Sequence, residues 1–243
     1  MESRCQYLDW DSQFFSCRIA SVSELHLCGE AMAEIENWCK TQRIDCLYWL
    51  ADIADSETIR WAEQHHFRLV DIRLTLAAAC SVSPAPAAAS NSIRLSCEND
   101  IPILCNLARV NHRDSRFYFD GNFPKERCDA LYDTWSERSC RGYADAVFVP
   151  EVQGKAAGYI SCHLKADGAG QIGLVGLAPE ARGKGLGTEL VQTALNWFRD
   201  QGARRVSVVT QGRNIAAQKL YQRSGFVSQS VQVWYHRWFF QNQ

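Results

Sequence analysis

The stretch Arg182-Gly183-Lys184-Gly185-Leu186-Gly187 decides how this chain is read. Before it lies an apolar, strand-like run, Ile172 to Ala178, closed by Pro179. After it comes a helix-like run, Thr188 to Gln201, with Leu190, Val191, Ala194, Leu195 and Phe198 on one face. The order is strand, glycine loop, helix. Three glycines in six residues let the backbone turn tightly and aim several N–H groups at one point. The helix that follows adds the positive end of its dipole. Such a loop suits an anion, above all the phosphates of a cofactor, although a surface turn that only caps a helix uses the same residues.

Three phosphate loops compete for the spacing. A Walker loop needs a lysine directly before the Ser/Thr, and Gly185-Leu186-Gly187-Thr188 lacks it. A dinucleotide loop needs Gly-x-Gly-x-x-Gly, and here Gly187 arrives one position early. The spacing that fits is Arg/Gln-x-x-Gly-x-Gly/Ala, carried by Arg182, Gly185 and Gly187. It resembles the pyrophosphate loop of the GCN5-related N-acetyltransferases (GNAT), which bind acetyl-CoA. A second block follows in the expected order. Arg205 to Thr210 is a β-branched strand, Gln211-Gly212-Arg213-Asn214 a polar turn, and Ile215 to Arg223 a short helix ending at Ser224-Gly225-Phe226. Asn214, Ala217, Tyr221 and Gly225-Phe226 keep that family's spacing, and the resemblance covers about Ile93 to Phe240.

The resemblance implies an α/β fold with the mixed central sheet of the GNAT family. It implies acetyl-CoA as co-substrate, held by Val175, Leu177, Arg182, Gly183, Lys184, Gly185, Leu186, Gly187, Thr188 and Asn214. Val175, Gly176 and Leu177 are where the family's strand splays and holds pantetheine through its main chain, and Gly176 suits a bulge there. Tyr221 falls at the family's general acid. A carboxylate base, common in the family on the strand before the loop, is missing from Gln171 to Ala178. A sugar amine of lowered pKa, a water or His163 on the preceding strand stands in its place.

Composition narrows the partners. The chain has 243 residues, 47% hydrophobic, with a formal net charge of -1 and no basic run, which argues against nucleic acid. No apolar stretch approaches the roughly 20 residues that span a bilayer, and the first residues lack a signal-peptide core, so a cytoplasmic protein without membrane partners is expected. Eleven cysteines are scattered with no Cys-x-x-Cys pair, and the six histidines form no ligand pair. Free, mostly buried thiols and no metal are expected.

Residues 81–92, rich in Pro, Ala and Ser, read as a linker between an N-terminal α/β domain, 1–80, and the acetyltransferase domain, 93–243. In the first part Leu27 to Thr41 reads as a helix, Asp45 to Leu50 as a strand, Ser56 as the cap of a helix to His65, and Phe67 to Leu76 as a strand. Helix, His66-Phe67, strand echoes helix, Gly225-Phe226, strand. That echo makes the smaller domain a partial half of the same fold; without a glycine loop it is not expected to bind CoA.

The acceptor rests on further resemblance. Leu8 to Phe15, Gln192 to Trp197, the turn from Thr210 to Asn214 and Ser115-Arg116-Phe117 resemble bacterial acetyltransferases of nucleotide-linked sugar amines, the dTDP-4-amino-4,6-dideoxyhexose type. Leu164 to Gln171 departs from them. Arg116, Phe117 and Tyr118, in an apparent loop, are the candidate acceptor-binding residues: an arginine can grip a phosphate and a ring can stack on a base or sugar. The rival readings are a peptide N-terminus, a polyamine or an aminoglycoside as acceptor, or a non-catalytic acetyl-CoA-binding module. The aromatic C-terminus, Val231 to Phe240, reads as a strand edge through which a homodimer forms, or as core.

Overall fold

The computed structural model describes residues 4–27, 29–80 and 93–239. The linker expected over 81–92, and Phe240, lie outside the described residues. In chain order the elements are β1 (Cys5–Tyr7), α1 (Asp9–Phe15), β2 (Ile19–Val22), α2 (Gly29–Thr41), β3 (Cys46–Asp52), α3 (Ser56–Gln64) and β4 (Arg68–Ala79). They continue with β5 (Ile93–Leu95), α4 (Ile101–Asn111), α5 (Arg116–Asp120), α6 (Lys125–Arg138), β6 (Ala146–Val152), β7 (Lys155–Ala156), β8 (Gly158–Leu164) and β9 (Gly170–Leu177). The last are α7 (Leu186–Asp200), β10 (Arg205–Gln211), α8 (Ile215–Arg223) and β11 (Val227–Trp238). Among the described residues no helix is long and apolar enough to cross a membrane.

Two compact units form, and they do not follow chain order. The first comprises Met1–Arg73, Ser115–Cys128 and Val231–Gln243; the second comprises Leu74–Asp114 and Asp129–Ser230. The expected 1–80 and 93–243 division is therefore crossed by β4, by the segment around α5 and by β11.

In the first unit β1 pairs antiparallel with β2, β2 parallel with β3, and β3 antiparallel with β11 from Cys46↔Trp238 to Asp52↔Gln232. Alternation along β3 sends Leu47, Trp49 and Ala51 to one core with Met32, Ile35 and Cys39 of α2 and Ala62 of α3. Because β11 is paired along this length and lies between β3 and β4 in the strand order, it is not a free edge. The sheet-edge reading of Val231 to Phe240 is corrected accordingly.

In the second unit the order is β10-β9-β8-β6-β5, with β9 and β10 parallel and the other pairs antiparallel. Leu190, Val191, Ala194 and Phe198 of α7 bury one face against Ile160, Cys162, Ile172, Val206 and Val208. Helix α4 packs against β8 and β9.

The echo between the two halves is far longer than His66-Phe67 and Gly225-Phe226. Strands β3 and β10, helices α3 and α8, and strands β4 and β11 match in length pairwise at a constant offset of 159 residues (46 to 205, 56 to 215, 68 to 227). The helix before each set ends at the same offset, at Thr41 and Asp200. Arg43 and Gly202 (φ 50 and 84), and His66 and Gly225 (φ 62 and 88), hold matching left-handed turns. Phe67 N–H donates to Ala62 C=O and Phe226 N–H to Tyr221 C=O, both at 3.0 Å. Asn37, Trp38, Gln42 and Phe67 recur as Asn196, Trp197, Gln201 and Phe226. A left-handed turn at Arg43 and His66, where most residues are strained, is what an inherited backbone requires. Each repeat thus contributes strand, helix, strand, helix, strand.

Several element ends differ from those read in the sequence. The cap of α3 is Asp55, whose carboxylate accepts from the N–H groups of Glu57 and Thr58; Ser56 is the first helical residue. Residues 116–120, read as a loop, are the short helix α5. The cysteines are free among the described residues.

Candidate acetyl-CoA site in the second unit

The pairing of β9 with β10 covers only Gly170–Ile172 and Val206–Val208. Beyond it β9 continues to Leu177 and β10 to Gln211. The divergence has a local cause. Ile160 faces Val175 and Cys162 faces Ile172, so β9 carries an extra residue opposite Ser161. The Leu174 N–H left over by this bulge donates to Ser161 Oγ at 2.8 Å. A bulge bends and twists its strand, and this one sits where β9 leaves β10. The bulge is at Gly173–Leu174, not at Gly176 as the sequence suggested. A Cβ on Gly173 would lie 2.6 Å from both Ser161 Oγ and His163 Nε2. Gly173→Ala is therefore expected to cost about 1–3 kcal/mol, read as a fall in Tm; an unchanged melt would show that the bulge does not depend on a glycine there.

Gly176 has a different task. Its missing side chain makes room for the Tyr159 ring and the Asn111 amide, which a Cβ would approach to 2.9 and 3.2 Å. Ala178 N–H donates to Ala157 C=O at 2.9 Å, on the β8 side. Alternation then turns both backbone groups of Leu177 away from β8 and into the splay.

The loop that follows is built on positive φ. Gly183 and Gly185 have φ 74 and 85, and Gly185 is the N-cap residue of α7 without a side-chain cap. The first N–H groups of a 15-residue helix therefore face outward, flanked by exposed Arg182, Lys184 and Thr188. Leu186 is half-buried against Ala157, Ala178 and Ala181 and anchors the helix start. Gly187 passes Leu220 and Leu177 at ordinary contact distance, with a built Cβ at 3.4–3.5 Å. Val175 and Leu177 flank the α7 core.

Asn214 caps α8, its Oδ1 accepting from Ala217 N–H at 3.0 Å, which leaves Nδ2 as a donor. Tyr221 lies in the core beside α7, with its ring 5.7 Å from that of Phe226. Burial alone pushes its phenol above the ordinary tyrosine value, so the hydroxyl stays protonated. The end of α4 adds two groups that the sequence did not single out. Asn111 reaches Leu177, and His112 Nε2 is 2.8 Å from Tyr159 Oη with its ring stacked on Tyr132. A lone Asn-His pair at the end of a helical run carries no signal in one sequence. His163 lies beside Ser161 at 3.4 Å, its pKa lowered by burial.

The first repeat has no such slot. Its parallel pair, β2 with β3, ends at Ser21↔Tyr48. There the chain's own Glu24–Leu27 takes the open strand: Asp52 N–H donates to Leu25 C=O at 3.3 Å and Trp49 Nε1 to Glu24 C=O at 2.8 Å. Leu27 N–H donates to Thr58 Oγ1 at 3.1 Å, and the Leu27 side chain is buried. At the constant offset, Asp55 replaces Asn214 and Ala62 replaces Tyr221.

Arg116, Phe117 and Tyr118 belong to the first unit. Phe117 is 3% exposed and packs against Phe15 and Phe123, so it has no free face for a ligand to stack on. The Arg116 guanidinium lies over Tyr48, Phe117 and Trp234 at 4.2–4.4 Å. It also donates to His236 Nε2 at 2.9 Å, while His236 Nδ1 donates to Asp120. Cys46, Asp120 and His236 form the one potential metal-ligand cluster among the described residues. Both nitrogens of His236 are engaged, Asp120 also accepts from Trp238 and Asn122, and a guanidinium stands against the group. This is the arrangement of a hydrogen-bonded network rather than of a cation site.

Burial lowers His236 to about 4, against the pull of Asp120, and lowers His112 to about 4. The unfolded chain binds protons at these sites from about pH 6.5 downward, whereas the folded chain does so only near 4. Stability is therefore full above pH 6.5 and falls as pH drops toward 4. Urea melts across this window are expected to show that slope. His236→Gln should flatten its share, and an unchanged slope would exclude His236.

The family described as "Acetyltransferase (GNAT) family" matches residues 109–226. The chain is 32% identical over 240 residues to a dTDP-fucosamine acetyltransferase of Escherichia coli, covering 95% of this chain and 96% of that protein. A GCN5-related N-acetyltransferase from Sphaerobacter thermophilus superposes with a TM-score of 0.63 at 20% identity, covering 96% of this chain and 76% of that one. A tandem GNAT protein from the clavulanic acid biosynthesis pathway superposes with a TM-score of 0.59 at 14% identity, over 93% of this chain and 76% of that one. These two structural likenesses speak for the fold alone.

Proposed function

The chain belongs to the GNAT family of acyl-CoA-dependent N-acetyltransferases, and from that premise we propose that its acceptor is the amine of a nucleotide-linked amino-deoxysugar of the dTDP-4-amino-4,6-dideoxyhexose type. The observation that carries the acetyl-transfer part is the splay past Ile172 and Val208, opening beside the Arg182–Thr188 loop. The acceptor class is supported by the Escherichia coli relative, a dTDP-fucosamine acetyltransferase that this chain matches over 96% of its length.

In this reading the N–H groups of Gly183 to Gly187 at the α7 start, with Arg182, Lys184 and the Thr188 hydroxyl beside them, hold the pyrophosphate of acetyl-CoA. The edges of Val175 and Leu177, with Asn214 Nδ2, hold its pantetheine arm. Bound there, acetyl-CoA supplies an activated acetyl group. A neutral sugar amine attacks the carbonyl directly, and strand N–H groups pointing into the splay polarise its oxygen. Tyr221 gives its hydrogen bond, and then its proton, to the departing sulfur. No carboxylate on β9 is needed for the attack, because an amine near the ~8 of an α-amino group keeps about a tenth of itself neutral at pH 7; the proton its nitrogen sheds as the amide forms passes to water or His163, and solvent restores the Tyr221 proton. Within the first unit Arg116 and half-buried Tyr118 are kept as candidate acceptor contacts, whereas Phe117 is buried.

The test is thiol release from acetyl-CoA with a panel of dTDP- and UDP-linked 3-amino and 4-amino deoxysugars, spermidine, an aminoglycoside and an N-terminal peptide. Fast release confined to a dTDP-linked 4-amino sugar, with the acetylated sugar as product, is expected. Release confined to polyamine, aminoglycoside or peptide would reject the sugar acceptor while leaving the family intact.

A further inference from the structure

The peptide of Leu177 is capped in this structure by two side chains of the same unit. Asn111 Oδ1 accepts the Leu177 N–H at 3.3 Å, and Arg182 Nε approaches the Leu177 carbonyl at 3.4 Å. The two caps are tied together, because Arg182 Nη2 donates to Asn111 Oδ1 at 2.9 Å. Asn111 Nδ2 donates back to Leu107 C=O at 2.8 Å, which fixes the amide with its oxygen toward the strand. Gly176 provides the room: a side chain there would meet the Asn111 amide. A planar amide thus lies against an open strand edge in the place of the next strand.

The reading of this site as an acetyl-CoA site has the pantetheine arm pair with that same edge. Leu177 has one N–H, and an incoming amide carbonyl takes it only if Asn111 Oδ1 leaves. Arg182, the first residue of the phosphate loop, is held toward the strand by the same contact. We propose that Asn111 is an internal competitor for the cofactor: its side chain occupies the Leu177 hydrogen bond, detains Arg182, and thereby sets how tightly CoA is held and how fast it leaves. Asn111 acts through Leu177 and Arg182 and is not a catalytic residue.

The sign of the effect separates this from a structural role. Removing a competitor tightens binding, whereas removing a support weakens it. CoA affinity is measured by calorimetric titration and its dissociation rate by stopped flow, for the full chain and for Asn111→Ala. The variant is expected to bind CoA about 2- to 10-fold more tightly, through slower dissociation, the range of one neutral hydrogen bond. Asn111→Ser, too short to span to Leu177, should do the same and serves if the alanine variant does not fold. Asn111→Asp, which adds an ion pair with Arg182, should weaken binding. Unchanged or weaker binding in the alanine and serine variants, with normal binding by the wild type, overturns the inference alone. No CoA binding by the wild type would remove the acetyl-CoA reading, and this inference with it.

Discussion

Tyr221→Phe is expected to lower kcat by roughly 10²–10⁴-fold while leaving acetyl-CoA affinity within about 2-fold of wild type. The substitution removes one oxygen from a ring that stays packed against α7 and Phe226, so the fold and the slot survive. What is lost is the hydrogen bond to the departing sulfur, an interaction that strengthens as negative charge develops there. Burial raises the phenol above its ordinary value. Two consequences follow. Activity has no limb from tyrosine ionisation up to about pH 10, because the folded phenol keeps its proton beyond the free value. And since a thiol near 8.5 binds its proton less tightly than this phenol, full transfer is uphill, so in the proposed mechanism Tyr221 acts chiefly by hydrogen-bonding the sulfur as charge develops there. A variant with wild-type kcat would end the acid role and leave direct solvent protonation of the sulfur.

Gly185→Val is expected to reduce acetyl-CoA binding at least about 100-fold. Gly185 has φ 85 and is the residue from which α7 starts. A β-branched residue there is strained by about 1–3 kcal/mol, and the chain relieves the strain by moving the loop. Each backbone N–H that then misses a phosphate oxygen forfeits a charge-assisted bond of about 1.5–3 kcal/mol, and two such losses exceed the 100-fold mark. Gly187→Ala is the control. A Cβ at Gly187 meets Leu220 and Leu177 at 3.4–3.5 Å, ordinary contact, and binding should change by no more than a few-fold. Normal binding by Gly185→Val, checked by the same calorimetric titration, would move the phosphate site elsewhere.

The glycine loop, the helix after it and the Asn214–Tyr221–Gly225 spacing were legible because each residue type is demanded locally, by positive φ, by a helix cap or by chemistry at one point. The splay was legible only by resemblance, and its cause was not. The Gly173–Leu174 bulge depends on Ser161, a serine on another strand that nothing in the local sequence marks. Asn111 was invisible for the same reason, since its meaning lies in reaching Leu177 across 66 residues of chain. The repeat was half legible. Phe67 and Phe226 announced it, but the constant offset emerges from backbone turns at Arg43 and His66, where the side chains conceal a glycine-like geometry. The units also escaped a reading that runs along the chain, because β4 and β11 each pass from one to the other. Finally, the Arg-aromatic signal at Arg116–Phe119 had two physical meanings. A guanidinium among rings grips ligands or packs cores, and here Tyr48, Phe117 and Trp234 take it.

The second repeat alone is expected to hold acetyl-CoA, because the first has filled its own slot with Glu24–Leu27. Calorimetric titration of acetyl-CoA into the full chain counts the sites. One site per chain, lost in Gly185→Val, is the predicted result. Two sites per chain, or one that survives Gly185→Val, would contradict it.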